Sequence, residues 1–343
     1  METMLKTLME FGRERMRNMG KMNEFIDICK IHSQFALKTK LDAFMTQNGY
    51  KTYNENGFLF CVPQTKTFDP VCLTAHMDTV HKEPVKKVVI EKHKAKNETI
   101  ISSPQGIGGD DRCGIWMIME IVKSGLRPYV IFNEDEEVGC VGAGKFAEHP
   151  KYPSYIEKDC MFIVELDRRN ATDAVYYYLD NLEFEEYVSE ITGYKTAIGS
   201  YSDICEIAPV CGIAAVNLSC GYYEEHTPQH YVIWQEMMNT LDATKKLVMA
   251  ATKDRKTFEY KEEVRPTYTS PYGYGFSDYY GYYKKSNDYD YAHTEGWSFT
   301  VFDDNKRCDE FYTGSSFEEC LGQLMLDHPT ICFSEIQEYV QEY

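Results

Sequence analysis

Several features that define major classes of protein are scarce or missing in this sequence. No apolar run reaches the roughly 18 residues that a membrane-spanning helix needs, and the twelve cysteines form no CxxC pair. Lysine and arginine total 36 against 54 aspartate and glutamate residues, so the formal net charge is −18. This acidic excess argues against nucleic acid or an anionic membrane as the main partner. We therefore expect a protein that binds neither.

The cysteines and the N-terminal stretch indicate the compartment. Cys61, Cys72, Cys160 and Cys211 lie within apolar runs, which is typical of reduced, buried thiols. The Met-rich N-terminal stretch is amphipathic and lacks the apolar centre of a signal peptide. Together these features predict a cytoplasmic protein.

The 343 residues, 43% of them hydrophobic, are enough for one large α/β domain or for a catalytic domain with an appendage. Short apolar runs bounded by turn residues predict buried strands. They cover 58–62, 71–75, 128–133, 160–167 and 213–221. Apolar stripes at helical spacing predict helices. They cover 2–17, 22–30, 35–47, 112–122 and about 229–250.

The first motif that contains candidate functional side chains is LTAHMDTV at 73–80, which continues directly from a predicted strand. His76 follows the strand, and Asp78 comes two residues later, on the same side if the strand continues. A metal-binding imidazole needs a carboxylate or a carbonyl on its second nitrogen, and Asp78 is suitably spaced for that contact. Taken alone, this pattern more often marks an ordinary surface or core histidine.

The second motif is GIGGDDRCGI at 106–115, in which three glycines precede Asp110 and Asp111. Both aspartates stand in front of a predicted helix, and the ordinary role for Asp110 is to cap its N-terminus. The other role is to bridge two metal ions. The two roles are compatible, since different carboxylate oxygens serve them, and three glycines are more backbone freedom than a cap requires.

The third motif is NEDEEVGCVGAG at 133–144, which has four consecutive carboxylates at Glu134–Glu137. Adjacent carboxylates repel one another unless cations are present. A solvated acidic loop is the ordinary explanation for such a run. This one lies between a buried strand and a glycine-rich turn, which favours a cation site.

Two later strands are followed by further candidate ligands. Glu165 and Asp167 lie near the end of one strand and face the same way, so the local pattern does not choose between them. His226 follows the other strand, and His230 stands four residues on. Pro228 suits a first helical turn, which would leave His226 outside the helix and favours it as a ligand alone.

With HMDTV, GGDDRCG, DEEVGCVGA, VELD and SCGYYEEHT in this order, the sequence resembles the dinuclear-zinc exopeptidases and amidohydrolases over about 22–250. That group includes peptidase T, the carboxypeptidase G and aminoacylase enzymes, and the compact zinc aminopeptidases. The resemblance implies a three-layer α/β/α sandwich with a mixed, mainly parallel sheet, and a site at the carboxyl ends of its strands.

The resemblance also implies a role for seven side chains. Two zinc ions, or cobalt or manganese in their place, are bound by triads that share one bridging carboxylate. The triads are His76–Asp110–Asp167 and Asp110–Glu137–His226. Glu136 is implied as the general base, and Asp78 as the carboxylate that orients His76. Preference for Asp110 over Asp111, and for Asp167 over Glu165, rests on the resemblance alone.

The sequence also departs from the family pattern. Only 58 residues separate Asp167 from His226, which leaves no room for the lid domain of the larger members. His230 stands where the family usually has glutamate, which puts the support of His226 in doubt. Aspartate at the position of Asp167 goes with aminopeptidase activity in the family. The expected function is therefore a zinc aminopeptidase acting on short peptides.

Two other functions stay open at this stage. An N-acyl amino acid amidohydrolase or carboxypeptidase would use the same site, and a catalytically inactive binding protein would function through its tail. For an aminopeptidase, the candidates for holding the ammonium group of the substrate are Asp203, Glu165 and a further acidic residue that the sequence does not identify. Ser202 and Asp203 also suit the cap of a short helix.

The expected domains are a catalytic domain at 1–254, a Tyr-rich low-complexity linker at 255–294 and a small module at 295–343. In the last part, 297–302 resembles a strand, and 316–326 and 334–343 resemble helices. We expect the module to bind a protein partner or to mediate self-association, or else to cover the surface of the catalytic domain.

Overall fold

The computed structural model describes residues 18–262 and, further on, three strands between 297 and 342. The chain divides into two compact units, Met1–Val264 and Arg265–Tyr343. No helix in the described part of the chain is both long and apolar enough to cross a membrane.

The first unit is built on an eight-stranded sheet of order β1-β2-β6-β3-β7-β10-β8-β9. The four strands β6, β3, β7 and β10 at its centre are mutually parallel. The antiparallel pairings are β1 with β2, β2 with β6, and β10 with β8. The strands are β1 Tyr50–Glu55, β2 Phe58–Pro63, β3 Val71–His76, β6 Tyr129–Asn133, β7 Phe162–Arg168, β8 Asp173–Val175, β9 Lys195–Ala197 and β10 Ala215–Ser219.

The central strands are continuous apolar runs because the sheet is buried on both faces. Successive side chains of β3 enter opposite cores: Leu73 packs in one and Cys72 in the other. Strand β7 alternates in the same way, with Val164 and Ile163 on opposite sides. All five predicted strands of this unit are present, with bounds shifted by up to two residues at either end.

Helices cover both faces of the sheet, and the prediction of a three-layer α/β/α sandwich with a mixed sheet is confirmed. One layer contains α1 (18–29), α2 Gln34–Gln47, α3 Gly109–Lys123, α6 Leu182–Thr192 and α8 Trp234–Asp254. The other layer contains α4 Val141–Ala147, α5 Tyr152–Asp159 and α7 Asp203–Cys211.

A second sheet was not predicted from the sequence. Its order is β11-β12-β5-β4, and all its pairings are antiparallel. The strands are β4 Val89–His93, β5 Glu98–Ser102, β11 Tyr222–Tyr223 and β12 Tyr231–Ile233. The predicted helix start at about 229 is wrong, because Val232 pairs with Ile101 of β5 and the helix begins only at Trp234.

The second unit contains a three-stranded antiparallel sheet of order β14-β13-β15. Its strands are β13 Trp297–Asp303, β14 Cys308–Gly314 and β15 Val340–Glu342. The strand predicted at 297–302 lies within β13. The helix predicted over 334–343 is wrong at 340–342, where β15 pairs with β13. The predicted helices at 2–17 and 316–326, and the linker from 263 onward, lie outside the described residues.

The packing of α4 against the β1–β2 turn generates a stability prediction. A Cβ atom on Gly142 would lie 2.2 Å from the Gly57 carbonyl oxygen, whereas one on Gly144 would meet nothing within 4 Å. We expect Gly142→Ala to lower the free energy of unfolding by about 2 kcal/mol. Gly144→Ala should leave it unchanged or raise it by up to about 1 kcal/mol. Urea denaturation of both variants measures the difference, and equal midpoints would contradict the close packing.

Candidate metal centre

The seven side chains singled out in the sequence lie together at the carboxyl ends of the central parallel strands. Strands β3, β6 and β7 end there, and their following loops carry most of the set. Helix α3 begins at the same edge, and the β11–β12 loop reaches it from the second sheet. The seven are His76, Asp78, Asp110, Glu136, Glu137, Asp167 and His226.

Asp110 lies between two imidazole rings. Its Oδ1 is 2.8 Å from His76 Nε2, and its Oδ2 is 3.4 Å from His226 Nε2. His76 Nε2 is also 3.4 Å from Asp167 Oδ1, and His226 Nε2 is 2.9 Å from Glu137 Oε2. The geometry therefore consists of two triads of one histidine and two carboxylates, joined at Asp110.

Asp78 fixes the positions of three neighbours. Its Oδ1 lies 3.0 Å from His76 Nδ1 and accepts the backbone N–H of Glu136 at 3.1 Å. Its Oδ2 accepts the backbone N–H of Glu137 at 3.1 Å. The Arg112 guanidinium donates to the Asp78 backbone carbonyl at 2.9 Å. One carboxylate thus orients an imidazole and anchors the acidic loop beside it.

Asp111 has a different environment from its neighbour Asp110. Its Oδ1 accepts the N–H of Gly114 at 2.8 Å, which is the hydrogen bond of a helix N-cap. Its Oδ2 accepts the N–H of His76 at 3.2 Å. The peptide bond between the two aspartates is cis. The suggested cap at Asp110 is wrong: Asp110 and Asp111 both have non-helical backbone angles, and Asp111 makes the capping hydrogen bond of the helix that follows. Asp110 instead faces the histidines.

Two residues that the sequence analysis did not single out hold Asp167. Asn217 of β10 accepts the backbone N–H of Asp167 through Oδ1 at 2.9 Å. The Tyr222 hydroxyl donates to the Asp167 backbone carbonyl at 3.0 Å and lies 3.3 Å from its Oδ1. The sequence feature that could have pointed to Asn217 is its polar side chain within the otherwise apolar run IAAVNLSCG.

Glu165 and Asp203 lie behind the two triads. Both are 1% exposed. Asp203 Oδ2 accepts the Asn133 side-chain amide at 2.7 Å, whereas Asp203 Oδ1 and Glu165 Oε2 have no hydrogen-bond partner. One carboxylate oxygen each of Asp203 and Glu136 and the Cys140 sulfur lie within 4.8 Å of one another. Burial raises the pKa of Glu165 well above its ordinary value and that of Asp203 to about 8, and neighbouring carboxylates add to both rises.

Histidines 81 and 230 form a pair beside the centre. His81 Nε2 is 3.3 Å from His230 Nδ1, and the His230 side chain is buried. Burial lowers the pKa of His230 to about 4. Residues 226–230 form a turn rather than a helix, so His226 and His230 do not present a helical pair. His230 therefore packs against His81, for which the sequence suggested no role.

The charge distribution at the centre favours the binding of cations. Burial raises the pKa of Asp167 well above its ordinary value, and the neighbouring Asp110 carboxylate adds to the rise. Burial by itself lowers the pKa of His76, but the Asp167, Asp110 and Asp78 carboxylates raise it well above its ordinary value. Shifts of pKa of this kind arise where charged groups lie close together and no added counter-charge neutralises them.

The donor set fits divalent metal ions. Across the described chain, no lysine or arginine forms an ion pair with the carboxylates of Asp110, Glu137 or Asp167. Glu137 Oε1 is buried without a partner. Histidine nitrogens together with carboxylate oxygens are ligands that zinc and similar ions accept. The cluster is therefore a candidate metal centre.

No model of a known protein family matches the chain, and no curated protein matches its sequence. Solved structures do resemble it. Aminopeptidase PepT from Bacillus cereus ATCC 10987 has a TM-score of 0.53 and 14% identity, covering 67% of this chain and 98% of its own. A tripeptidase from Staphylococcus aureus subsp. aureus Mu50 has a TM-score of 0.54 and 14% identity, covering 69% and 99%. The described chain therefore shares its fold with these two peptidases.

Proposed function

We propose that the protein is a two-metal aminopeptidase that hydrolyses the N-terminal peptide bond of short peptides. The observation that carries this proposal is the position of Asp110, whose two carboxylate oxygens face the imidazoles of His76 and His226. A carboxylate in that position is suited to bridge two cations. The fold shared with two solved peptidases supports the same function.

In this proposal each triad holds one ion, zinc being favoured and cobalt or manganese the alternatives. His76, Asp110 and Asp167 hold the first, and Asp110, Glu137 and His226 hold the second. Asp78 contacts the second nitrogen of His76, as metal-binding histidines require for a fixed tautomer. The buried, unpartnered Glu137 Oε1 is available as a further donor.

Glu136 is the proposed general base. Two divalent ions held by these triads would lower the pKa of a water molecule and polarise the scissile carbonyl. Glu136 belongs to neither triad, yet its acceptor atoms lie within 4.8 Å of those of His76 and Asp167. Burial raises the pKa of Glu136, which favours a carboxylate that accepts a proton from the attacking water and passes it to the leaving amine.

The path between Asp167 and His226 favours an aminopeptidase over the larger hydrolases. This segment forms β8, α6, β9, α7 and β10 of the central sheet and its helix layers, and then β11 of the second sheet. No separate domain interrupts the described chain there. A substrate thus meets a centre rich in carboxylates, which favours the free ammonium group of an unblocked peptide.

Metal content provides the first test. Removing the imidazole of His76 or His226 takes away one ligand of one triad, so His76→Ala and His226→Ala should each bind fewer than two ions per chain. Elemental analysis after reconstitution with zinc measures the stoichiometry. His93→Ala, a change of an exposed histidine in β4, should keep the unsubstituted value. Two ions per chain in all three variants would refute these ligands.

The role of Glu136 requires a separate test. Glu136→Gln preserves the shape of the side chain but cannot accept the proton. We expect two bound metal ions and a loss in kcat of at least about 100-fold. Steady-state hydrolysis of an aminoacyl amide, alongside elemental analysis, distinguishes this from metal loss. A rate near that of the unsubstituted protein would disprove the assignment.

The alternative functions are distinguished by whether the N-terminal amine of the substrate is free or acylated. Aminoacyl amides and their N-acetylated counterparts are compared with and without a chelator. An aminopeptidase should hydrolyse the free amines and lose activity in chelator. Preference for N-acyl amino acids would establish the amidohydrolase or carboxypeptidase function instead. A metal-loaded protein that cleaves neither class would favour the binding protein.

A further inference from the structure

The four consecutive carboxylates at 134–137, which we call the acidic loop, divide into two pairs with different partners. Glu136 and Glu137 face the candidate metal centre. Glu134 and Asp135 instead contact helix α2, which carries none of the proposed metal ligands. The proposed hydrolysis involves only the second pair directly, so the contacts of the first pair point to a different role for α2.

Gln34, at the start of α2, binds Asp135 at two points. Its Nε2 donates to Asp135 Oδ1 at 2.6 Å, and its Oε1 accepts the backbone N–H of Asp135 at 3.2 Å. One side-chain amide offers both a donor and an acceptor, and here both are used on the same residue. Gln34 therefore fixes the side chain and the backbone of Asp135 together.

Lys38 lies one helical turn further along α2, on the same face as Gln34. Its Nζ donates to Glu134 Oε2 at 3.0 Å and to the Glu55 carbonyl at 2.5 Å. The same Glu134 oxygen accepts the backbone N–H of Gly57 at 2.8 Å. The Lys38 and Glu134 side chains are 7% and 14% exposed, so solvent screens their ion pair only weakly. Lys38 thus joins α2 to the β1–β2 turn and to the start of the acidic loop.

The backbone of the acidic loop turns at Asp135, which has a φ of 58° in the left-handed region. For a residue other than glycine this conformation costs roughly 1 kcal/mol and persists only where the surroundings hold it. The two hydrogen bonds from Gln34 provide that hold. Beyond the turn, the Glu136 N–H donates to Asp78 Oδ1 at 3.1 Å. The conformation of Asp135 therefore sets the direction in which the chain enters the metal centre.

The side chain of Glu136 has little to hold it directly. Within the described chain, its carboxylate accepts a hydrogen bond only from the Cys140 thiol, a weak donor 3.6 Å away. A general base gains from weak side-chain contacts, because strong ones would compete with the proton that it accepts. Its position must then be fixed through the backbone on either side.

We propose that Gln34 and Lys38, which we name the α2 clamp, are positioning residues for the general base Glu136. The inference rests on the proposed function, in which Glu136 transfers the proton. The clamp acts through Asp135 and Glu134 and touches neither metal ligand nor substrate. It contributes to turnover by keeping the Glu136 carboxylate within reach of the attacking water.

Gln34→Ala removes both hydrogen bonds to Asp135 and leaves every proposed metal ligand in place. We expect the variant to bind two zinc ions and to keep KM within about 2-fold, while kcat falls by about 10-fold, because a small displacement of a reacting group is costly. Steady-state hydrolysis of an aminoacyl amide and elemental analysis measure these quantities. Gln47→Ala, the same change at an exposed position at the other end of α2, should have no effect.

A double-mutant cycle separates positioning from a general loss of structure. Glu136→Gln has no base left to position, so adding Gln34→Ala to it should not lower kcat further. If the two losses multiply, Gln34 acts independently of Glu136 and the proposal is wrong. An unchanged kcat in Gln34→Ala alone would also overturn it.

The charge of Lys38 is tested by a conservative and a non-conservative change. Lys38→Arg keeps the positive charge opposite Glu134, so its kcat should stay well above that of Lys38→Met. Lys40→Met, at an exposed lysine of the same helix, is the matched control. Equal rates in Lys38→Met and Lys40→Met would contradict the clamp, and the half-buried Gln34 carries the test if Lys38→Met does not fold.

Hydrogen–deuterium exchange tests the clamp without any substrate. In the zinc-loaded protein, release of the acidic loop weakens the hydrogen bonds from Glu136 and Glu137 to Asp78. Peptides that contain residues 134–140 should therefore exchange faster in Gln34→Ala than in Gln47→Ala. Absence of hydrolysis by the unsubstituted protein refutes only the peptidase function, whereas equal exchange in the two variants refutes the clamp.

Discussion

The position of Asp110 between two imidazoles is the interaction on which the rest of the site depends. Asp110 stands at the start of α3, and that helix must approach the end of β7 closely for the two triads to meet. Gly114 permits this approach, because a Cβ atom there would lie 2.1 Å from the Leu166 carbonyl oxygen. Asp111 caps the same helix through the Gly114 N–H. Backbone packing and capping therefore place the shared carboxylate.

Bringing several carboxylates together around Asp110 costs free energy, because their negative charges repel one another. Burial and like-charge neighbours raise the pKa of Asp167, Glu165 and Glu136. Among the described residues, the one buried guanidinium is that of Arg112, and it donates to backbone carbonyls of Asp78 and Ile31. Cations bound at the centre would relieve this repulsion, so we expect metal binding to stabilise the fold.

The segment between Asp167 and His226 adds β8, β9 and β10 to the central sheet. Under the proposed function, the loops at the carboxyl edge of that sheet select the substrate, because rigid strands hold such loops in position. The turn into α4 and the segment into α7 both carry exposed apolar side chains.

The sequence by itself determined the central strands, the three acidic or histidine-bearing motifs and their order, because continuous apolar runs and ligand-like side chains are local patterns. It did not determine the second sheet, because β4, β5, β11 and β12 have only two to five residues each. Segments this short carry little periodicity, and β4 is also mostly exposed. The structure placed the cap at Asp111 and not at Asp110, where the sequence had suggested it. Tertiary structure alone paired His230 with His81 and brought Asn217 and Tyr222 to Asp167. These last three contacts join residues at least 50 positions apart in the chain, and no local pattern records such distances.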